Sequence, residues 1–108
     1  MPVTPTPPSL TQEQRVEASR VAVANRRRRA EVKRLVKSGE LSLEEIFELA
    51  DREDCVAQMR AYDLISALPA IGEVKAARIM TRAAIAQTRR IRGLGPKQRA
   101  ELFRALVR

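Results

Sequence analysis

Lys75, Arg78 and Arg82 stand at helical spacing just behind a glycine turn, Leu68-Pro69-Ala70-Ile71-Gly72. At i, i+3 and i+7 the three cations share one narrow stripe of a helix. A turn that opens a helix leaves its first backbone N–H groups without partners, and the helix dipole adds partial positive charge there. Phosphate is the group such a place accepts. A second glycine turn follows in Arg89-Arg90-Ile91-Arg92-Gly93-Leu94-Gly95, and Pro96 opens the next helix. Three arginines around one apolar anchor suit phosphate or minor-groove contact. The competing readings are an ordinary αα-corner with a solvated basic face and a solvated charge run.

A third basic element lies upstream. Arg26, Arg27, Arg28 and Arg29 circle every face of a long helix, so they cannot all aim at one ligand. Glu31 is placed to pair with one of them. The helix carries mainly Ala and Val between its charges, too little bulk to lie on a lipid surface.

Other chemistry is poorly provided for. The chain has no His and one Cys, Cys55, so it lacks a His-based catalytic group, an internal disulfide and a Cys/His zinc site. Cys55 reads as a small core or boundary residue. Glu44, Glu45 and Glu48 read as a solvated helix face rather than a metal site. No cofactor, metal or small-molecule substrate is expected.

The 108 residues carry 21 Lys+Arg against 13 Asp+Glu, a net charge of +8. Only Lys33, Lys37, Lys75 and Lys97 are lysines, and arginine favours bidentate phosphate contacts. The partner is therefore expected to be a polyanion. Phe47, Tyr62 and Phe103 are the only aromatics, too few to stack the bases of a single strand. That points to a duplex gripped through its phosphates. No apolar run approaches membrane-spanning length, no signal-peptide pattern follows the start, and a cytoplasmic protein is expected.

These residues need helices to position them. Residues 1–9 hold Pro2, Pro5, Pro7 and Pro8 and read as an extended tail. Residues 10–38 read as a basic arm, a helix from Gln12 to Lys37 capped by Thr11 and Gln14 and ended by Ser38-Gly39. Only Val32, Leu35 and Val36 look able to dock. Residues 39–108 read as the binding domain. Ser42 and Glu45 form a second capping box before a helix from Leu43 to Arg52. A short helix near Tyr62–Leu68, another over Glu73–Ala83 and a last over Pro96–Val107 complete it, with Val74, Ala77 and Met80 expected to face the core. No two-residue alternation is sustained, so the fold class is all-α.

Charge is segregated along the chain. Residues 12–37 carry a net charge of about +6, residues 38–56 about −6 and residues 57–108 about +8. The acidic middle is expected to face away from a polyanion.

Taken together, Arg26 to Lys33, Ser42-Leu43, Leu68-Pro69-Ala70-Ile71-Gly72-Glu73-Val74-Lys75-Ala76, Ile79-Met80 and Arg89-Arg90-Ile91-Arg92-Gly93-Leu94-Gly95 resemble the actinobacterial, mycobacterial-type integration host factor family. The resemblance spans about residues 10–108. The core also resembles the helix-two-turn-helix of a small-subunit ribosomal head protein and of formamidopyrimidine-type DNA glycosylases. It implies an all-helical monomer of the nucleoid that binds double-stranded DNA with little sequence preference, bends or organises it, and assists phage integration. An RNA- or ribosome-associated binder is the alternative. The glycosylases use an N-terminal proline, but here Val3 follows Pro2 where they carry Glu, so no enzyme is expected. The resemblance places the basic motif at Arg89, Arg90 and Arg92, the backbone-contacting turn at Gly72 and its neighbours, and the DNA-contacting arm on the long N-terminal helix. Joined to the cationic stripe and the second turn, it makes the candidate DNA contacts Ala70, Ile71, Gly72, Val74, Lys75 and Arg78, then Arg89, Arg90, Arg92, Gly93 and Gly95, and on the arm Arg26, Arg27, Arg29 and Lys33. The family usually has Gly where this chain has Ala70.

Overall fold

The computed structural model describes residues 11–107, so the proline-rich tail lies outside the described residues. Helix α1 (Gln12–Ser38) begins where its sequence says it must. The Thr11 hydroxyl accepts from the Gln14 N–H at 3.1 Å, and the Gln14 side chain accepts from the Thr11 N–H at 2.9 Å. Its far end is Gly39, left-handed at φ 83°, where the Glu40 N–H reaches back to the Leu35 carbonyl at 3.0 Å. The stripe of Arg28, Val32 and Val36, four residues apart, docks on the body, with both valines fully buried. Residues 11–22 are exposed throughout. The molecule accordingly measures 67 × 28 × 24 Å, with a radius of gyration of 17.9 Å. A compact chain of this length would have about 13 Å.

The body contains α2 (Leu43–Arg52), α3 (Asp54–Ala57), α4 (Ala61–Ala67), α5 (Gly72–Arg82) and α6 (Pro96–Val107). The Ser42–Glu45 capping box forms as expected. Helix α3 was not foreseen: four residues hold too little periodicity to announce a helix, and no side chain caps it. A 3₁₀ turn at Ile91–Gly93 stands where a loop was expected. Among the described residues there is no strand, only an isolated antiparallel bridge between Arg60 and Arg90.

One core joins all of these elements. Ile46 of α2, Leu64 and Ile65 of α4, Met80 of α5, Ile91 of the 3₁₀ turn and Leu102 of α6 are all essentially inaccessible. Phe103 meets Phe47 edge-on, with ring centroids 5.5 Å apart, and the Arg99 guanidinium lies 4.7 Å over the Phe47 ring. On α5 the expected core face is corrected. Met80 is buried, but Val74 is 71 % exposed and Ala77 only half-buried. Repeated steps of three drift by about 60° each around a helix. The true stripe mixes threes and fours: Ala76, Ile79, Met80 and Ala83.

Helix α5 ends in a backbone lock. Ala84 is left-handed at φ 57°, and the Ile85 N–H reaches the Met80 carbonyl at 2.9 Å. This closes the α5 terminus and sends the chain toward the arginine turn.

Candidate nucleic-acid interface

The first corner joins α4 to α5. The Ile71 N–H bonds the Leu68 carbonyl at 3.1 Å, and the chain reverses through two left-handed residues, Ala70 at φ 65° and Gly72 at φ 71°. No side chain caps α5. Among the described residues no hydrogen bond is donated by the N–H groups of Gly72, Glu73 and Val74, which open that helix. Nothing lies within 4 Å of where a Gly72 Cβ would stand, so the backbone there faces open space. Lys75 and Arg78 are exposed on the turns that follow it, but Arg82 stands at the far end of α5, about 15 Å along the axis, so the three cations do not flank one site. Tyr62 donates its hydroxyl to the Glu73 carbonyl at 3.2 Å and ties the corner to α4.

The second corner is built differently from its expected form. Three of its amides are paired within the chain: Gly93 donates to the Arg90 carbonyl at 2.9 Å, Leu94 to the Ile91 carbonyl at 3.1 Å and Gly95 to the Gln98 side chain at 3.0 Å, while among the described residues the N–H groups of Lys97 and Gln98, which open α6, donate to none. Gly93 and Gly95 therefore offer no free N–H to a ligand. This corner also presents guanidinium. Ile91 is buried, and Arg89, Arg90 and Arg92 around it are exposed. Gly93 makes room for one of them, because a Cβ there would stand 2.9 Å from Cδ of Arg89.

The arm and the second corner converge on a cleft of about 400 Å³ lined by Arg29, Ala30, Lys33, Gln58, Met59, Arg60, Asp63 and Arg90. Four cations face one carboxylate there. Arg29, Lys33 and Arg90 were anticipated. Arg60 was missed, since it stands alone in its stretch of sequence and only the bridge to Arg90 brings it in. Within its lining the Arg90 guanidinium donates to the Gln58 carbonyl at 2.8 Å. Arg26 and Arg27 are exposed on α1 but do not line the cleft.

The acidic middle is not wholly turned away. Asp54 lies 3.6 Å from Arg92 and Asp51 3.9 Å from Arg99. Glu53 takes Arg28 in a two-pronged pair, Nε to Oε1 at 2.7 Å and Nη2 to Oε2 at 2.8 Å. Glu31 adds a third contact to Arg28 at 3.1 Å. The fork holds the Glu53 carboxyl below its ordinary range and raises the Arg28 guanidinium above its own. Arg28 thus differs in kind from the other arginines of its run. Among the described residues no helix is long and apolar enough to cross a membrane.

Residues 36–106 match the S13-like H2TH domain. The chain is 45 % identical over 96 residues to the integration host factor of Mycolicibacterium smegmatis, covering 89 % of this chain and 91 % of that protein. It is 43 % identical over 97 residues to the integration host factor of Streptomyces coelicolor, covering 90 % and 91 %. Among solved structures it superposes on sIHF bound to an 8bp palindromic DNA with a TM-score of 0.74 and 41 % identity, over 79 % of this chain and 96 % of that one. Matches of this level and extent, on a helical body with an S13-like H2TH domain, mean that the chain belongs to the integration host factor family of mycobacteria and Streptomyces.

Proposed function

We propose that this protein is an architectural binder of double-stranded DNA that grips the phosphate backbone, bends or organises the duplex, and acts as a monomer in the nucleoid. The observation that carries this is the cleft in which α1 and the arginine turn bring Arg29, Lys33, Arg60 and Arg90 together. Phosphates entering it meet guanidinium forks and an ammonium, while the free amides of Gly72, Glu73 and Val74 with Lys75 and Arg78 form a second contact. Such contacts fix position on a duplex and carry no base information, so sequence enters through shape and deformability.

A single strand is disfavoured by the aromatics. Phe47 and Phe103 pack against each other, and Tyr62 is half-buried with its hydroxyl bound. None is free to stack a base. No catalytic group is assigned, and assistance to recombination would follow from DNA bending.

The test is a gel-shift titration on unrelated duplexes across salt concentrations. Neutralising about six phosphates gives a log–log slope near −5. A slope flatter than about −2 would remove the backbone grip. Bent and supercoiled DNA in parallel read the architectural preference, and competition by a matched RNA duplex decides between the two polymers.

A further inference from the structure

We propose that Arg28 and Glu53 are a positioning pair that sets the phase and tilt of the α1 arm, and thereby the shape of the cationic cleft. The binding half of this proposal rests on the DNA-binding function proposed above. Three observations carry it.

Among the described residues the pair is the outermost side-chain hydrogen bond between the arm and the body. Val32 and Val36 bury one and two turns further in, and residues 11–22 beyond it are exposed. At 1.5 Å per residue the arm extends about 24 Å past Arg28. A pivot moved back to Val32 would lengthen that lever by about 6 Å and loosen its angle.

The pair also fixes rotation. A fork-to-carboxylate contact with two parallel N–H···O bonds tolerates little twist. With Arg28 clamped to Glu53, Arg29 lies about 100° further round the helix, and Lys33 stands four residues on along the same stripe. Those are the two arm residues that line the cleft.

Finally, Glu53 stands at the head of a segment that reaches the other wall. Asp54 meets Arg92, Gln58 holds Arg90, and the Met59 and Ala61 backbones pair with Ile91 and Arg89. Residues 53–61 thus touch both the arm and the arginine turn. Glu53 therefore links the arm to the other wall of the cleft.

Charge and geometry predict opposite outcomes, which makes the pair testable. Glu53→Ala adds one unit of net positive charge, so on charge alone it tightens DNA binding. Acting as a positioning residue, Glu53 is needed, and its loss weakens binding. Glu53 makes no side-chain cap bond to α3, so truncation leaves that helix start intact. Arg28→Lys is the second variant: it keeps the charge and removes the fork. The measurements are duplex affinity with its salt slope, and the distance distribution between spin labels at Ser19→Cys and Thr88→Cys in a Cys55→Ala background. In both variants we expect affinity to fall about tenfold and the slope to become shallower by about 2, as Arg29 and Lys33 lose their aim. The label distance broadens without DNA. Unchanged or tighter binding by folded Glu53→Ala, or an unchanged label distribution, overturns the proposal. A wild-type protein that ignores duplex DNA sinks the DNA-binding function, and the positioning role then stands or falls on the label distances.

Discussion

Arg60 and Arg90 are held opposite one another in an antiparallel bridge. The Ala61 N–H bonds the Arg89 carbonyl at 3.0 Å, and the Ile91 N–H bonds the Met59 carbonyl at 2.9 Å. This is the closer kind of antiparallel pair, with about 4.5 Å between facing Cα atoms. Like charges placed directly opposite repel. A backbone that forces them together gains from a polyanion that lies between them. Arg60→Ala is accordingly expected to leave the melting temperature unchanged or slightly raised. Duplex affinity should fall, and the salt slope should become shallower by about 1. Thermal melts beside salt-dependent gel shifts check both signs.

Ala70 holds a left-handed conformation that a methyl side chain disfavours by about 1–2 kcal/mol. Ala70→Gly relieves that cost and loses part of the gain to the freer unfolded chain. The expected net is about 0.5–1 kcal/mol of added stability, a melting temperature higher by about 4 °C. Ala84→Gly, at the end of α5, should act in the same direction. Gly72→Ala should act in the opposite one, since its φ of 71° is unfavourable for alanine even though its surroundings are open. Differential scanning calorimetry of the three single variants tests the set.

Gly93→Ala places a methyl 2.9 Å from Cδ of Arg89. That side chain is exposed and flexible, so it swings aside at little cost to the fold. The expected result is a melting temperature within about 2 °C of wild type, because surface changes stay near ±0.5 kcal/mol, together with weaker duplex binding. A stability loss as large as a core cavity, with affinity intact, would place the role of Gly93 in folding instead.

Stability should respond to acid through Glu53. Hydrogen bonding to Arg28 lowers its carboxyl in the folded chain, with Arg52 adding to the effect. A carboxyl lowered on folding stabilises above its unfolded value of about 4.3, and that contribution fades as pH falls through the lower folded value. Wild type should therefore lose more stability between about pH 5 and pH 3 than Glu53→Gln does. Chemical denaturation at several pH values compares the two slopes, and parallel slopes would show that the pair adds nothing to folding.

The helices with chemical start and stop signals were legible from residues alone. Thr11 with Gln14 and Ser42 with Glu45 are local devices whose partners lie three residues away, and Gly39 ends α1 through its own backbone freedom. The apolar spacing of Leu43, Ile46, Phe47 and Ala50 sufficed to orient α2. Helix α3 and the 3₁₀ turn were not legible, because each is too short for a period to appear and each owes its form to packing. The face of α5 was misjudged at Val74, which is exposed, and in part at Ala77, which is half-buried. On a short helix whose apolar residues lie on several sides, only the surface it packs against decides which of them are buried.

The sequence alone determined an all-helical chain, a projecting basic arm, two glycine corners and a net positive charge suited to a polyanion. Each of those follows from interactions spanning a few residues or from net charge. Tertiary structure alone decided what each arginine does. It paired Arg28 with Glu53, drew Arg60 into the cleft beside Arg29, Lys33 and Arg90, and left the amides of Gly72, Glu73 and Val74 without partners while bonding those of Gly93, Leu94 and Gly95. Guanidinium groups are alike in composition and differ only in what lies within hydrogen-bond reach, and that reach is set by residues far apart in the chain.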